Sequence, residues 1–136
     1  MSMTVDIYNA MGAKVEAFAT GLAEPIPTHY TASPIPFVPP DSGEWLEVRA
    51  FWNGNENYAW GSRGASVEKG FFVVGVVSRS GGVQAAQPIA ELLVEEFEKS
   101  TELATALVYK APEISGPLTE DDRLTVPVTI YWRATR

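Results

Sequence analysis

The chain has 136 residues, a formal net charge of −7 and no cysteine. A chain of this length buries about two-thirds of its unfolded surface, so a single domain can fold without staples. The absence of thiols excludes disulfides and thiolate metal sites, and the acidic balance argues against a protein that grips a nucleic-acid backbone, which takes clustered Lys and Arg. No apolar run reaches the roughly 18 residues of a membrane span, and the first residues lack a signal-peptide pattern, so we expect a protein made in the cytoplasm.

Residues 4–21 are predicted to form the first helix. Apolar residues recur at spacings of three and four, which places them on one stripe of a helix. The residues of this predicted stripe are Tyr8, Met11, Val15, Phe18 and Leu22. Gly21 is expected to end the helix.

A proline-rich segment follows, with six prolines between Pro25 and Pro40. Proline removes backbone donors and favours an extended course, so residues 25–44 are predicted to form an extended arm. Two interpretations stay open: a linker lying on the surface of its own domain, or an arm that docks on a neighbouring subunit. In the second case Phe37 is a candidate interface residue.

Two strands are predicted next, on either side of a long loop. Residues from Trp45 to Trp52 alternate between an apolar face and a face that carries Glu47 and Arg49, which indicates an amphipathic strand. The second strand, Val67 to Ser78, is nearly all apolar after Gly70 and is expected to be central in its sheet. The loop between them, residues 53–66, is long for a hairpin connection, and loops of this length are usually functional.

The second half of the chain predicts one helix and two strands. A Gly-Gly turn leads into a helix from Val83 or Gln84 to about Leu103, whose opposite face is acidic. Strands are predicted at Ala106 to Ala111 and at Leu124 to Ala134. The resulting order, αββαββ, predicts a single α+β domain with a four-stranded antiparallel or mixed sheet and two main helices packed on it.

The sequence offers no convincing catalytic, cofactor or metal site. His29 has no nucleophile or orienting carboxylate near it in sequence. The acidic run Glu120-Asp121-Asp122 could gather a divalent cation, but it lacks the alternating ligands and glycine hinge of a calcium loop, so a solvated turn is the favoured interpretation. We therefore expect a protein that is not an enzyme.

Aromatic residues beside arginine point to contacts with other proteins, because such pairs are enriched at interface hot spots. Trp60 and Arg63 lie in the 53–66 loop together with Tyr58, and Arg133 follows Trp132. Trp132 itself continues the apolar face of its strand and is predicted to fill the core. Arg49, on the charged face of its strand, completes the set of interface candidates.

Read together, these segments resemble a known family. The order of motifs is Phe37-Val38-Pro39-Pro40, Trp45-Leu46-Glu47-Val48, Arg63, Gly70-Phe71-Phe72-Val73-Val74, Gly81-Gly82, a helix with Ala90, Leu93 and Phe97, and Val126-Pro127-Val128-Thr129-Ile130-Tyr131-Trp132-Arg133-Ala134. Nearly the whole chain is similar to the small tail terminator or tail completion proteins of long-tailed phages and prophages.

The resemblance implies a structural virion protein that assembles in the host cytoplasm. In that family a ring, commonly of six copies, sits on the head-proximal end of the tail tube, ends tube polymerisation and offers a surface for head-tail joining. The implied partners are other copies of the chain, the tube protein and the head-tail connector, with DNA passing through the lumen unbound. Alternatives are another neck component, such as a connector or stopper protein, or a small ligand-binding or hydrolytic domain.

Overall fold

The computed structural model describes residues 2–57, 66–120 and 122–135. Two helices lie in this part of the chain, α1 (Met3–Thr20) and α2 (Gly82–Glu96). The strands are β1 (Thr28–Tyr30), β2 (Glu44–Asn57), β3 (Ser66–Ser78), β4 (Glu102–Leu103), β5 (Ala106–Val108), β6 (Glu113–Ile114), β7 (Leu118–Glu120) and β8 (Arg123–Thr135). The α+β class is confirmed, but the described residues form eight strands rather than the four predicted.

All the strands join one mixed sheet. Its order is β1-β2-β3-β8-β5-β4, and β6 and β7 pair with β8 as well. The strand β1 runs parallel to β2, whereas the other pairs are antiparallel. One edge of β8 is paired with β3 along its whole length, and β7, β6 and β5 follow one another along the opposite edge. The predicted order αββαββ is therefore wrong, because short strands fill both sides of the three long ones.

The core lies between one face of this sheet and the two helices. On β8 every second residue is buried, which is the period-2 pattern of a strand that faces a core on one side. Across β8 and β3 the buried side chains are Val126, Val128, Ile130, Trp132, Phe72, Val74 and Val76. The prediction that Trp132 fills the core is confirmed. A Cβ on Gly70 would lie 2.5 Å from Cζ2 of Trp132, so the indole occupies the space that this glycine leaves open.

Helix α1 has the predicted length but a slightly rotated buried face. Its buried residues are Ile7, Met11, Val15 and Ala19, while Tyr8 and Phe18 are only partly buried. The Ser2 hydroxyl accepts the Val5 N–H and begins the helix, and the Gly21 N–H bonds back to Ala17. Neither helix in the described ranges has the length and apolar character needed to cross a membrane.

Helix α2 ends earlier than predicted. Phe97 closes it through a hydrogen bond from its N–H to the Leu93 carbonyl, and Ser100 then takes a left-handed conformation with φ of 77°. Leu103, which was expected at the end of the helix, lies instead in β4 and is buried there. The third predicted strand is also shorter, since β5 ends at Val108.

The proline-rich segment is partly built into the sheet. Residues Thr28 to Tyr30 form β1, and hydrogen bonds from Leu46 N–H to the Pro27 carbonyl and from Thr31 N–H to the Val48 carbonyl extend the pairing. Proline-free positions 28–33 thus supply the donors that the flanking prolines lack. The strands β2 and β3 also run further into the predicted 53–66 loop than expected, to Asn57 and from Ser66.

Candidate interaction surfaces

The face of the sheet opposite the helices, here called the outer face, carries a row of aromatic side chains. Phe51 of β2 stacks on Phe71 of β3 with ring centroids 4.8 Å apart, and Tyr131 of β8 lies 5.9 Å from Phe71. Tyr109 follows at 6.4 Å from Tyr131. These four residues form the aromatic row, which crosses the three long strands. Phe51 is 43% exposed, so the row is open to solvent at that end.

Cationic side chains border the aromatic row. Arg49 lies two residues before Phe51 on the same face of β2. Within the described residues its ion pair is a loose one, with 3.9 Å between its guanidinium and a Glu47 carboxylate oxygen. On the other side of the row, Arg133 lies directly opposite Lys69 across the β3–β8 pair. The Arg133 guanidinium stands 5.7 Å from the Tyr109 ring, an arrangement typical of a cation–π contact.

Lys110 completes this border of positive charge. Its ammonium lies 3.9 Å from the Tyr131 ring centroid and 3.3 Å from a Glu113 carboxylate oxygen. Both partners of that ion pair are roughly half exposed, so solvent screens it strongly. Arg49, Lys69, Lys110 and Arg133 thus share this face of a chain that is acidic as a whole.

The other half of the outer face is closed. Trp45 is fully buried although it was predicted on the charged face of its strand, because Arg79 and Arg123 lie over its ring at 5.4 and 5.9 Å. Glu47 accepts a hydrogen bond from the Trp45 indole N–H at 3.3 Å and pairs with Arg123 at 3.6 Å. Trp45, Glu47, Arg79 and Arg123 are called the Trp45 cluster below.

The arm after β1 is held at both ends but presents apolar side chains between them. Phe37 stacks on His29 with centroids 4.8 Å apart, and Arg79 donates to the Pro40 carbonyl at 2.7 Å. Ile35 and Val38 remain 74% and 86% exposed. His29 is thus engaged in a ring stack, and these contacts anchor the arm to its own domain; docking of the arm on a neighbouring subunit stays a prediction.

Tyr30 joins the arm to α1. Its hydroxyl donates to the Gly12 carbonyl at 3.1 Å and to a Glu16 carboxylate oxygen at 2.9 Å. Burial raises the pKa of the Tyr30 phenol well above its usual value, and the hydrogen bond to Glu16 adds to the rise. The Tyr30 phenol therefore keeps its proton over the whole physiological range, and its hydrogen bonds position the start of the arm.

The helix side of the molecule is acidic. Glu91, Leu92 and Glu95 lie on the exposed side of α2, and Glu98 follows just after its end. Leu92 is 45% exposed, which is a high value for a leucine on an otherwise charged face. These four residues form the acidic stripe. Nearby, Glu96 is paired with Lys14 of α1 at 3.3 Å and does not belong to it.

The predicted interface residues fall into three groups. Arg49 and Arg133 lie on the same outer face, on either side of the aromatic row, whereas Phe37 lies beside β1. Tyr58, Trp60 and Arg63 lie outside the described residues. The aromatic row was not predicted from the sequence. Phe51, Phe71 and Tyr131 occupy outward positions on three strands, but only the register between the strands places them side by side.

The acidic run at the β7–β8 turn is engaged by arginines. Asp122 pairs with Arg79 at 3.4 Å and Glu120 with Arg123 at 3.5 Å, while Asp121 lies outside the described residues. Within residues 2–57, 66–120 and 122–135, no three His, Asp or Glu side chains converge in a group that could hold a metal ion.

Comparison with known proteins decides the family. The sequence matches the family described as phage tail terminator protein over residues 6–132, which is nearly the whole chain. The chain belongs to the phage tail terminator family. Family membership supports a structural role in a phage tail, and the resemblance drawn from the sequence motifs is confirmed. None of the curated protein sequences matches the chain.

Two solved structures share the fold of this tail terminator family member. One is 20% identical, with a TM-score of 0.76 over 98% of this chain and 96% of the other. The second is a chain from the virion of the native gene transfer agent particle, 14% identical, with a TM-score of 0.54 over 99% of this chain and 96% of the other. At these identities the likeness concerns the fold alone.

Proposed function

We propose that this protein forms a ring of six copies on the head-proximal end of a phage tail tube, where it ends tube polymerisation and provides the surface for head-tail joining. The observation that carries the proposal is membership of the tail terminator family over residues 6–132. A subunit of such a ring has to meet its neighbours, the tube and the connector, so it needs several surfaces that its own fold leaves open.

The described residues supply three open surfaces. The aromatic row and its cations lie on the outer face of the sheet, the arm presents Ile35 and Val38, and the acidic stripe lies on α2. A net charge of −7 also suits a conduit for DNA, because like charge keeps the genome from adhering to the wall. The proposed partners are thus other copies of this chain, the tube protein and the connector protein.

The proposal also gives the 53–66 segment a contact with the tube or the adjacent subunit through Tyr58, Trp60 and Arg63. The variants Trp60→Ala and Arg63→Ala should abolish ring formation or tail binding while leaving thermal stability nearly unchanged. A large loss of stability in Trp60→Ala would instead assign that side chain to the core.

Electron microscopy of particles from a parent phage or prophage with this gene disrupted tests the function directly. Overlong or ragged tails without heads are the expected result. Tails of normal length beside unattached full heads would move the protein to the connector, and unaltered virions would overturn the structural role. Adding the purified protein back to such tails should restore the cap at one end only.

A further inference from the structure

We infer that the aromatic row and its bordering cations receive the acidic stripe of a second copy of this chain. The partner is therefore the protein itself, docked helix onto sheet, with Arg49 and Arg133 facing Glu91 and Glu95. This inference rests on the proposed ring and deepens it, because it names the two surfaces through which neighbouring subunits would join.

The outer face has the composition of a binding surface. Tyrosine and arginine are enriched among the residues that dominate interface energies, and the row combines two tyrosines and two phenylalanines with flanking arginines. Leu107, which lies next to Arg133 in the sheet, adds an exposed apolar side chain. Packed strands fix the row in place, so little conformational entropy is lost when a partner covers it.

Two cations on this face, Arg49 and Arg133, are poorly neutralised within the described part of the chain. Arg133 makes no ion pair there, and Arg49 reaches only the Glu47 Oε2 at 3.9 Å, while Oε1 of the same carboxylate serves Trp45 and Arg123. A partner that brings carboxylates would supply the missing opposite charge. Such complementarity governs the specificity and the speed of association.

The acidic stripe fits that requirement from the other side. Glu91 and Glu95 are one helical turn apart and lie on the same side of Leu92 around the helix, so the stripe offers two carboxylates beside an exposed apolar side chain. Leu92 would cover the aromatic row while the carboxylates meet its cationic border. Because each copy carries a net charge of −7, two copies repel each other on average, and only local complementarity of this kind can bring them together.

The two surfaces lie on opposite sides of the fold, since α2 packs against the inner face of the sheet. A contact between them is therefore heterologous: each subunit uses one surface towards one neighbour and the other surface towards the next. Contacts of this type are not saturated in a dimer, and they build a ring when the rotation between copies closes.

Charge reversal tests the pairing with the purified full chain. The double variants Arg49→Glu/Arg133→Glu and Glu91→Arg/Glu95→Arg should each weaken self-association about a hundredfold in sedimentation velocity, because like charges then face each other. Mixing the two variants should restore association, since opposite charges then alternate around the ring. Asn9→Arg, an exposed change of charge on α1 in the groove beside Tyr30, is the control outside both surfaces and should associate as the wild type does.

Cysteine cross-linking gives a second readout, made simple because the chain has no cysteine. The variant Leu92→Cys/Leu107→Cys should oxidise to a ladder of covalent oligomers. Each single-cysteine variant should form no covalent dimer, because a heterologous contact does not bring two copies of the same residue together. Circular dichroism and melting curves of every variant would establish that the fold is retained.

The outcomes separate this inference from the proposed function. A ring that forms equally well in both reversed variants, or dimers from a single-cysteine variant, would overturn the pairing and leave the ring intact. A wild-type chain that stays monomeric up to its solubility limit would overturn it too. Correct cross-links in a protein that caps no tubes would instead contradict the terminator role.

Discussion

The two halves of the outer sheet face, the Trp45 cluster and the aromatic row, both combine aromatic residues with arginines but differ in how far the rings are buried. In the Trp45 cluster, arginines lie over an indole and reach carboxylates, so the aromatic ring is fully buried without any help from a helix. In the aromatic row, arginines also border the rings, but their charges are left to solvent and Phe51 remains 43% exposed.

An aromatic residue next to an arginine on a sheet therefore does not by itself indicate an interface. The difference lies in the carboxylates: Glu47 and Asp122 complete the Trp45 cluster, whereas Arg133 has no carboxylate within reach in the described residues. One half of the face is therefore a piece of core built from charged side chains, and the other half is left partly open to solvent.

The largest expected effect is on the buried half. Trp45→Ala should lower the free energy of unfolding by about 3–5 kcal/mol, because it opens a cavity beneath two arginines. Chemical denaturation measures this. Trp52→Ala is the matched control: Trp52 lies on the same strand but is 50% exposed, so its loss should cost about half as much. Trp52 lies on the inner face beside Phe72 and Trp132, so equal losses would contradict burial as the source of the Trp45 effect.

A smaller loss is expected when the carboxylate of the Trp45 cluster is neutralised. Glu47→Gln should cost about 1 kcal/mol, because Trp45 and Arg123 lose a charged acceptor in a mostly buried place. Glu113→Gln removes a carboxylate paired with Lys110 at a similar distance but in solvent, so it should cost about 0.5 kcal/mol or less. Urea titrations of both variants compare the two; a larger loss for Glu113→Gln would reverse the assignment.

The aromatic row should show the opposite balance between stability and association. Phe51→Ala is expected to lower the free energy of unfolding by about 1 kcal/mol or less, the usual value for a cross-strand aromatic pair. Its self-association, followed by sedimentation, should fall much further. If Phe51→Ala unfolds as readily as Trp45→Ala, the row is a part of the core and its role as a docking surface is refuted.

The smallest effect on stability is expected at Arg133. Arg133→Gln should leave the free energy of unfolding within about 0.5 kcal/mol of the wild type, because the side chain is exposed and faces a like charge on Lys69 across the strand pair. Self-association should still weaken. A loss of stability above about 1 kcal/mol would show that the Arg133 contact with Tyr109 is structural.

Long periodic segments could be predicted from the sequence, and short ones could not. The helix α1 and the strands β2, β3 and β8 each carry enough alternating or helical repeats to reveal themselves, and each was found to within a few residues. The strands β4, β6 and β7 have two or three residues each, too few for any period. The strands β6 and β7 form because they pair with an edge of β8, and β4 forms because it pairs with β5; both pairings depend on the tertiary fold.

Two further errors have specific causes. The prolines around β1 concealed a strand, since Pro27 contributes only its carbonyl and the donors come from residues without proline. The alternation of β2 predicts Trp45 on the charged face of the strand, because Glu47 and Arg49 lie on the same side. Arg79 and Arg123, which bury Trp45, are far from it in sequence. No local sequence pattern predicts that they lie over its ring.

The position of β8 has a consequence for how the molecule folds. This strand pairs with β3, β5, β6 and β7, yet it follows all of them along the chain. During synthesis its partner strands leave the ribosome first. Their edges stay unpaired until β8 is made, and unpaired strand edges are prone to pair with other chains. Folding thus depends on contacts between distant parts of the sequence, so we expect it to be slow for a chain of this size.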